Sequence, residues 1–146
     1  MRRTNPIKLS TDDSHQLALC AGKTFRLFSA IFNLWPVVAV LAHKVVVLHG
    51  GVPRHRNIKV DDLRDLDTVR QPPDEPQNMQ DELFLDLLWS DPHEGRGLVA
   101  SERGDGIVKF GSDTVRDFLR RSGCELLVRS HECPPGKKTP LFCAIL

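Results

Sequence analysis

The chain has 146 residues, 40% of them hydrophobic, with 20 Lys+Arg against 19 Asp+Glu and a net charge of +1. That length suits one domain of ordinary size, and so even a charge balance sets up no global field toward nucleic acid or an anionic membrane. The longest apolar stretch, 34–48, is broken by Pro36, His43 and Lys44, short of the roughly 18 unbroken residues a membrane helix needs.

In chain order, residues 1–22 mix charges and Pro6 without helical or strand periodicity and read as an unstructured leader. Over 24–35 the apolar residues Phe25, Leu27, Phe28, Ile31, Phe32 and Trp35 fall at helical intervals, with Thr24 available as N-cap and Pro36 ending the run. The pattern is that of an amphipathic helix packed on another element. Two β-branched runs, 37–41 and 44–48, flank Ala42-His43 and predict a short antiparallel hairpin. Residues 60–68 suit a short helix with Asp61 and Asp62 in its first turn, and the proline-rich 71–80 a loop.

Residues 83–89 are apolar and end at Ser90-Asp91-Pro92, and the glycine-rich 95–106 reads as exposed loop or as strands shaped by their partners. The clearest helix lies between Ser112 and Gly123, with Val115, Phe118 and Leu119 on one face and Gly123 as its stop. A strand over 124–128 then leads to His131, and residues 137–146 form a tail without a pattern. Helix, buried strand and loop in this order make an α/β organisation, in which ligands gather at strand ends. Four cysteines, Cys20, Cys124, Cys133 and Cys143, form no C-x-x-C pair, so we expect reduced thiols in a cytoplasmic or nuclear protein.

Two expected strands deliver a histidine: Val45-Val46-Val47-Leu48-His49-Gly50-Gly51 and Leu127-Val128-Arg129-Ser130-His131-Glu132. Between them stand Asp86-Leu87-Leu88-Trp89-Ser90-Asp91-Pro92, Arg103-Gly104-Asp105-Gly106 and Phe110-Gly111. In that order and at those intervals the segments resemble the second half of the catalytic domain of the metal-dependent serine/threonine protein phosphatases, calcineurin-like metallophosphoesterases. The likeness runs over about 24–135, and Arg129-Ser130-His131-Glu132 leans toward the protein phosphatase 5 and EF-hand-linked branch.

The resemblance implies a fold, a chemistry and a set of residues. The fold is part of a calcineurin-like α/β architecture, a β-sandwich flanked by helices and here incomplete, with a partial catalytic domain over 23–136. His49 and His131 resemble the two histidines that bind one of a pair of divalent metal ions, Mn, Fe or Zn. Arg103 resembles the arginine that clamps the substrate phosphate, a task suited to a planar fork that stays charged. Trp89 and Asp91 match positions that shape the substrate groove and tie loops together, Arg129 a position supporting the metal-binding histidine. Gly50 and Gly51 are expected to let the backbone pass close to the metal centre.

The implied substrates are phosphoserine and phosphothreonine proteins, with a regulatory subunit or domain as a further partner and neither nucleic acid nor membrane. The sequence has none of the family motifs G-D-x-H-G, G-D-x-x-D-R-G and G-N-H-E that hold the first metal, and no tyrosine. The expected function is therefore a protein phosphatase present as a fragment. The alternative is a catalytically dead interaction module. A metallophosphoesterase acting on nucleotides or diesters, a third class, would not need the Trp89-Ser90-Asp91-Pro92 context.

Overall fold

A computed structural model of the chain describes residues 11–132 and 143–145, with side chains described over 19–132. It divides into two compact units, Met1–Trp35 and Pro36–Leu146. The first holds helix α1, Thr11–Phe32. The helix begins well before Thr24 because no proline interrupts 11–32; the one glycine inside it, Gly22, costs only about 1 kcal/mol. Phe25, Phe28 and Phe32 are each more than half exposed rather than packed away, and Phe32 stacks on Phe28 and Trp35 at 5.8 and 5.1 Å between ring centroids.

The second unit opens with strands β1 (Val38–Leu41) and β2 (Val45–Leu48), paired antiparallel from Val38↔Leu48 to Leu41↔Val45. At their turn Ala42 and His43 both take positive φ, 50° and 57°, and Lys44 N donates to Leu41 O at 3.0 Å. Two consecutive left-handed residues give the mirror-image turn whose twist matches a hairpin. A 3₁₀ turn, Asp61–Asp65, stands where a short helix was expected.

Helix α2, Met79–Trp89, starts inside the expected loop because the Asn78 side chain caps it, accepting from Asp81 N at 3.1 Å. Strands β3 (Asp91–Pro92), β4 (Leu98–Ala100) and β5 (Val108–Phe110) form a three-stranded sheet in the order β3-β5-β4. Helix α3, Ser112–Ser122, buries Val115, Phe118 and Leu119 as its pattern predicts and stops at Gly123, which takes φ 67°.

Strand β6 (Leu126–Arg129) pairs parallel with β2, and β7 (Cys143–Ile145), in the segment read as a patternless tail, pairs antiparallel with β6. The larger sheet thus runs β1-β2-β6-β7. Its core face joins Val46 and Leu127 to Leu87, Phe110, Val115 and Phe118. The fold is mixed α/β, sheets with helices, as the sequence predicts. The parallel β2–β6 register, Val45↔Leu126 to Val47↔Val128, sets the carboxyl ends of both strands side by side.

Candidate metal centre

Because β2 and β6 run the same way, His49 and His131 emerge together at the carboxyl ends of the larger sheet's two central strands. His131 sits in the left-handed region at φ 59°, a sharp exit from the strand that turns its ring back toward β2. The two imidazole centroids lie 4.9 Å apart at 70°. Trp89, at the end of α2, meets His131 edge-on with centroids 5.7 Å apart. His49 Nδ1 is 2.9 Å from Ser130 Oγ, and His131 Nδ1 is 2.9 Å from Asp91 Oδ1. Each ring is thus fixed through Nδ1, and neither Nε2 has a hydrogen-bond partner among the described residues. Burial, and the neighbouring His131 and Arg129, hold His49 below the usual histidine range. At neutral pH it keeps its lone pair.

Asp91 is the hub of the site. It is 2% exposed, and Arg129 Nη2 donates to Oδ1 at 2.7 Å beside His131 while Arg103 Nε donates to Oδ2 at 2.5 Å. Burial pushes its carboxyl up, but the hydrogen bonds from Arg103, Arg129 and His131 outweigh that and hold it below the ordinary aspartate range. Arg129, 1% exposed, also donates through Nε to Gly50 O at 2.6 Å and through Nη2 to Ser90 O at 3.2 Å. It therefore joins the loops after β2 and α2 to β6. Its contacts are all internal, which makes it a support for the site. Arg103 stands at the rim, its side chain 37% exposed, with one edge of its fork held by Asp91.

The structure thus gathers His49, Trp89, Asp91, Arg103, Arg129 and His131 into one cluster. Gly50 and Gly51 make a close approach of their own. Their amides donate to Leu87 O at 2.7 Å and Asp86 O at 2.9 Å, and a Cβ on Gly50 would lie 2.5 Å from the Leu88 carbonyl carbon. The close approach is to the end of α2, and for Gly51 to the Phe110 ring. Sequence reasoning passed over Ser130, which orients His49, and Arg54. The latter grips buried Asp86 through its backbone N at 2.8 Å and through Nη2 at 2.7 Å, and donates also to Gly106 O at 2.7 Å, pinning the turn that carries Arg103. A lone aspartate inside Leu83-Phe84-Leu85-Asp86-Leu87-Leu88 was the available signal, since a buried carboxylate requires a cation.

Two imidazoles with fixed Nδ1 and free Nε2 have the form of metal-binding histidines. They fit as part of a ligand set. Among the described residues no group of three His, Cys, Asp or Glu side chains comes together as a metal site, so a metal held by His49 and His131 would need further donors to reach the roughly four to six ligands such ions take.

The profile of the calcineurin-like phosphoesterases matches residues 11–135, which includes all of α1 and everything from β1 through His131. Among curated relatives, serine/threonine-protein phosphatase T of Aspergillus oryzae is 36% identical over 110 residues, 75% of this chain and 22% of that protein. Serine/threonine-protein phosphatase 5 of Arabidopsis thaliana is 40% identical over 106 residues, covering 73% and 18%; that of Homo sapiens is 35% identical over 108, covering 74% and 20%. The chain spans about a fifth of the length of these relatives, and the part matched is the C-terminal part of the domain. A solved protein serine/threonine phosphatase of Saccharomyces cerevisiae, described as similar to human phosphatase PP5, superposes with a TM-score of 0.67 at 32% identity, covering 78% of this chain and 33% of that one. With its profile match running from α1 through the His131 loop, the chain belongs to the calcineurin-like phosphoesterase family.

Proposed function

We propose that this chain forms the C-terminal part of a protein serine/threonine phosphatase, in which His49 and His131 bind one of two divalent metal ions and Arg103 grips the substrate phosphoryl group. The observation that carries the reading is the pair of imidazoles, 4.9 Å apart, each fixed at Nδ1 and open at Nε2. When bound, such a metal pair supplies an activated water and positive charge for the phosphoryl oxygens. Nitrogen donors suit Mn, Fe or Zn.

The protein's own side chains have separable tasks. Ser130 and Asp91 hold the two rings in place. Asp91 also steadies Arg103, whose two Nη groups have no hydrogen-bond partner among the described residues and are left for a phosphoryl oxygen. Trp89, 43% exposed, forms a wall of the groove beside His131. Arg129 acts through Asp91 and the Gly50 carbonyl. The substrates in this reading are phosphoserine and phosphothreonine proteins, with a regulatory subunit or domain as partner. The free thiols of Cys20 and Cys124 fit a cytoplasmic or nuclear setting.

The test is a Mn²⁺ titration of the pure chain followed by NMR of the imidazole protons. Paramagnetic broadening should strike His49 and His131 first and spare His55 and His93. Equal broadening of all four would remove the metal-site assignment. With two donors, the chain alone should show negligible turnover of an aryl phosphate; turnover that His131→Ala abolishes would overturn that expectation.

A further inference from the structure

Away from the histidines, three segments bring four arginines into one groove. Arg116 and Arg120 stand one turn apart on α3, Arg56 follows the glycine loop after β2, and Arg96 precedes β4. With Asp113 and Asp117 they line a hollow of about 230 Å³. All four arginines are exposed.

Both acids are already engaged by the fold. Asp113 Oδ1 accepts from Gly97 N at 2.9 Å, and its Oδ2 lies 3.6 Å from Arg96 Nε. Asp117 is shared between Arg120 and Arg121, the latter at 3.1 Å. Arg56 and Arg116 make no ion pair or hydrogen bond among the described residues. The groove nets +2 while the whole chain nets +1, so the remainder nets −1. The positive charge is concentrated here.

We infer that this groove is a binding site for an acidic segment of a partner protein, taken in extended conformation. Arginine forks are shaped to receive carboxylates two oxygens at a time. Arg116 and Arg120 are about 6 Å apart along the helix axis, close to the roughly 6.6 Å between alternate side chains of an extended strand, so acids at alternate positions meet both. Nucleic acid fits less well. Its regular charge calls for a long basic track and stacking aromatics, whereas the groove has no aromatic in its lining and the remainder of the chain is net acidic. The site concerns binding and needs no metal, so it stands apart from the phosphatase reading.

The experiment is fluorescence anisotropy with the full chain and a labelled peptide of five Ser-Glu repeats, at low and at physiological salt. The wild-type chain should bind. The double variant Arg56→Ala/Arg116→Ala, which breaks no described ion pair, should bind about tenfold more weakly, a loss of about 1.4 kcal/mol, with an unchanged circular dichroism spectrum. Arg64→Ala, an exposed arginine outside the groove, should bind like wild type. Absence of binding, an equal affinity in the double variant, or an equal loss in Arg64→Ala would overturn the site. Tighter binding of a single-stranded RNA of the same charge would overturn the choice of an acidic protein.

Discussion

Asp86 and Asp91 lie five positions apart, at 0% and 2% exposure, yet their carboxyl groups behave in opposite ways. Burial pushes Asp86 up, and one guanidinium, Arg54, with a hydroxyl from Ser90 at 3.3 Å, does not bring it back. Burial pushes Asp91 up as well, and two guanidiniums and an imidazole more than reverse it. Asp86 lies deeper than Asp91 and fewer cationic groups converge on it, and the two differences together decide whether the charge is held. The contrast also divides the labour. Asp86 and Arg54 tie the loop after β2 to the turn at Gly106, whereas Asp91 orders the groups that face solvent at the site.

Removing a cation from each hub is the sharpest way to break this contrast. Arg129→Ala should be the costlier, about 5 kcal/mol, at the top of the range for breaking a buried pair, because it also strips donors from the Gly50 and Ser90 carbonyls. Arg54→Ala should cost about 3 kcal/mol, since its side chain is 14% exposed and water reaches the vacated space. Urea midpoints measure both. The reverse order would mean that the sole cation at Asp86 matters more than the convergence at Asp91.

The raised pKa of Asp86 gives a test with a fixed sign. Its contribution to stability is fully present below the unfolded aspartate value of about 3.9 and is lost as pH rises through the higher folded value. Asp86→Asn removes that dependence. The stability of wild type relative to the variant should therefore be greatest near pH 3.5 and shrink toward neutrality, in urea titrations across that range. A difference that grows with pH would mean that Arg54 lowers the Asp86 pKa below its unfolded value instead of leaving it raised.

Much of this frame was legible because its signals are local. The β1–β2 hairpin, α3 with its Gly123 stop and the flanks of His49 and His131 each announce themselves within a dozen residues. Asp91 was read as a residue that shapes the groove and ties loops together, but no short pattern tells that Arg103 and Arg129 converge on it from distant loops. The early start of α1 was missed because Thr11 to Gln16 carry no apolar side chain to show a helical period. Strand β7 is three residues long and owes its existence to pairing with β6, so nothing in its own sequence marks it. Arg54 was hidden for the same reason as Asp91: its partner is 32 positions away.

A milder intervention reaches the site without touching either hub. Ser130→Ala removes the hydroxyl beside His49 Nδ1 but leaves the backbone link from Ser130 N to His49 O at 3.2 Å. Stability should move by no more than about 1 kcal/mol, while Mn²⁺ affinity drops by about 10- to 100-fold, the usual cost of losing the group that orients a histidine ligand. An unchanged affinity in the NMR titration would mean that Asp91 alone fixes the geometry of the pair.

The smallest effect belongs to an ion pair whose distance alone would rank it with the hubs. Lys44 Nζ and Glu125 Oε1 are 2.6 Å apart, closer than Arg129 to Asp91 at 2.7 Å, but their side chains are 54% and 70% exposed. Water and salt screen such a pair, and ordering two long side chains offsets what attraction is left. The backbone bond from Glu125 N to Lys44 O, 2.8 Å, persists without the charge. Glu125→Gln should therefore leave the urea midpoint where it is, at low salt and at high. A loss comparable to that of Arg54→Ala would mean that short distance, rather than burial and the count of cations, sets the cost, and the difference between Asp86 and Asp91 would then need another cause.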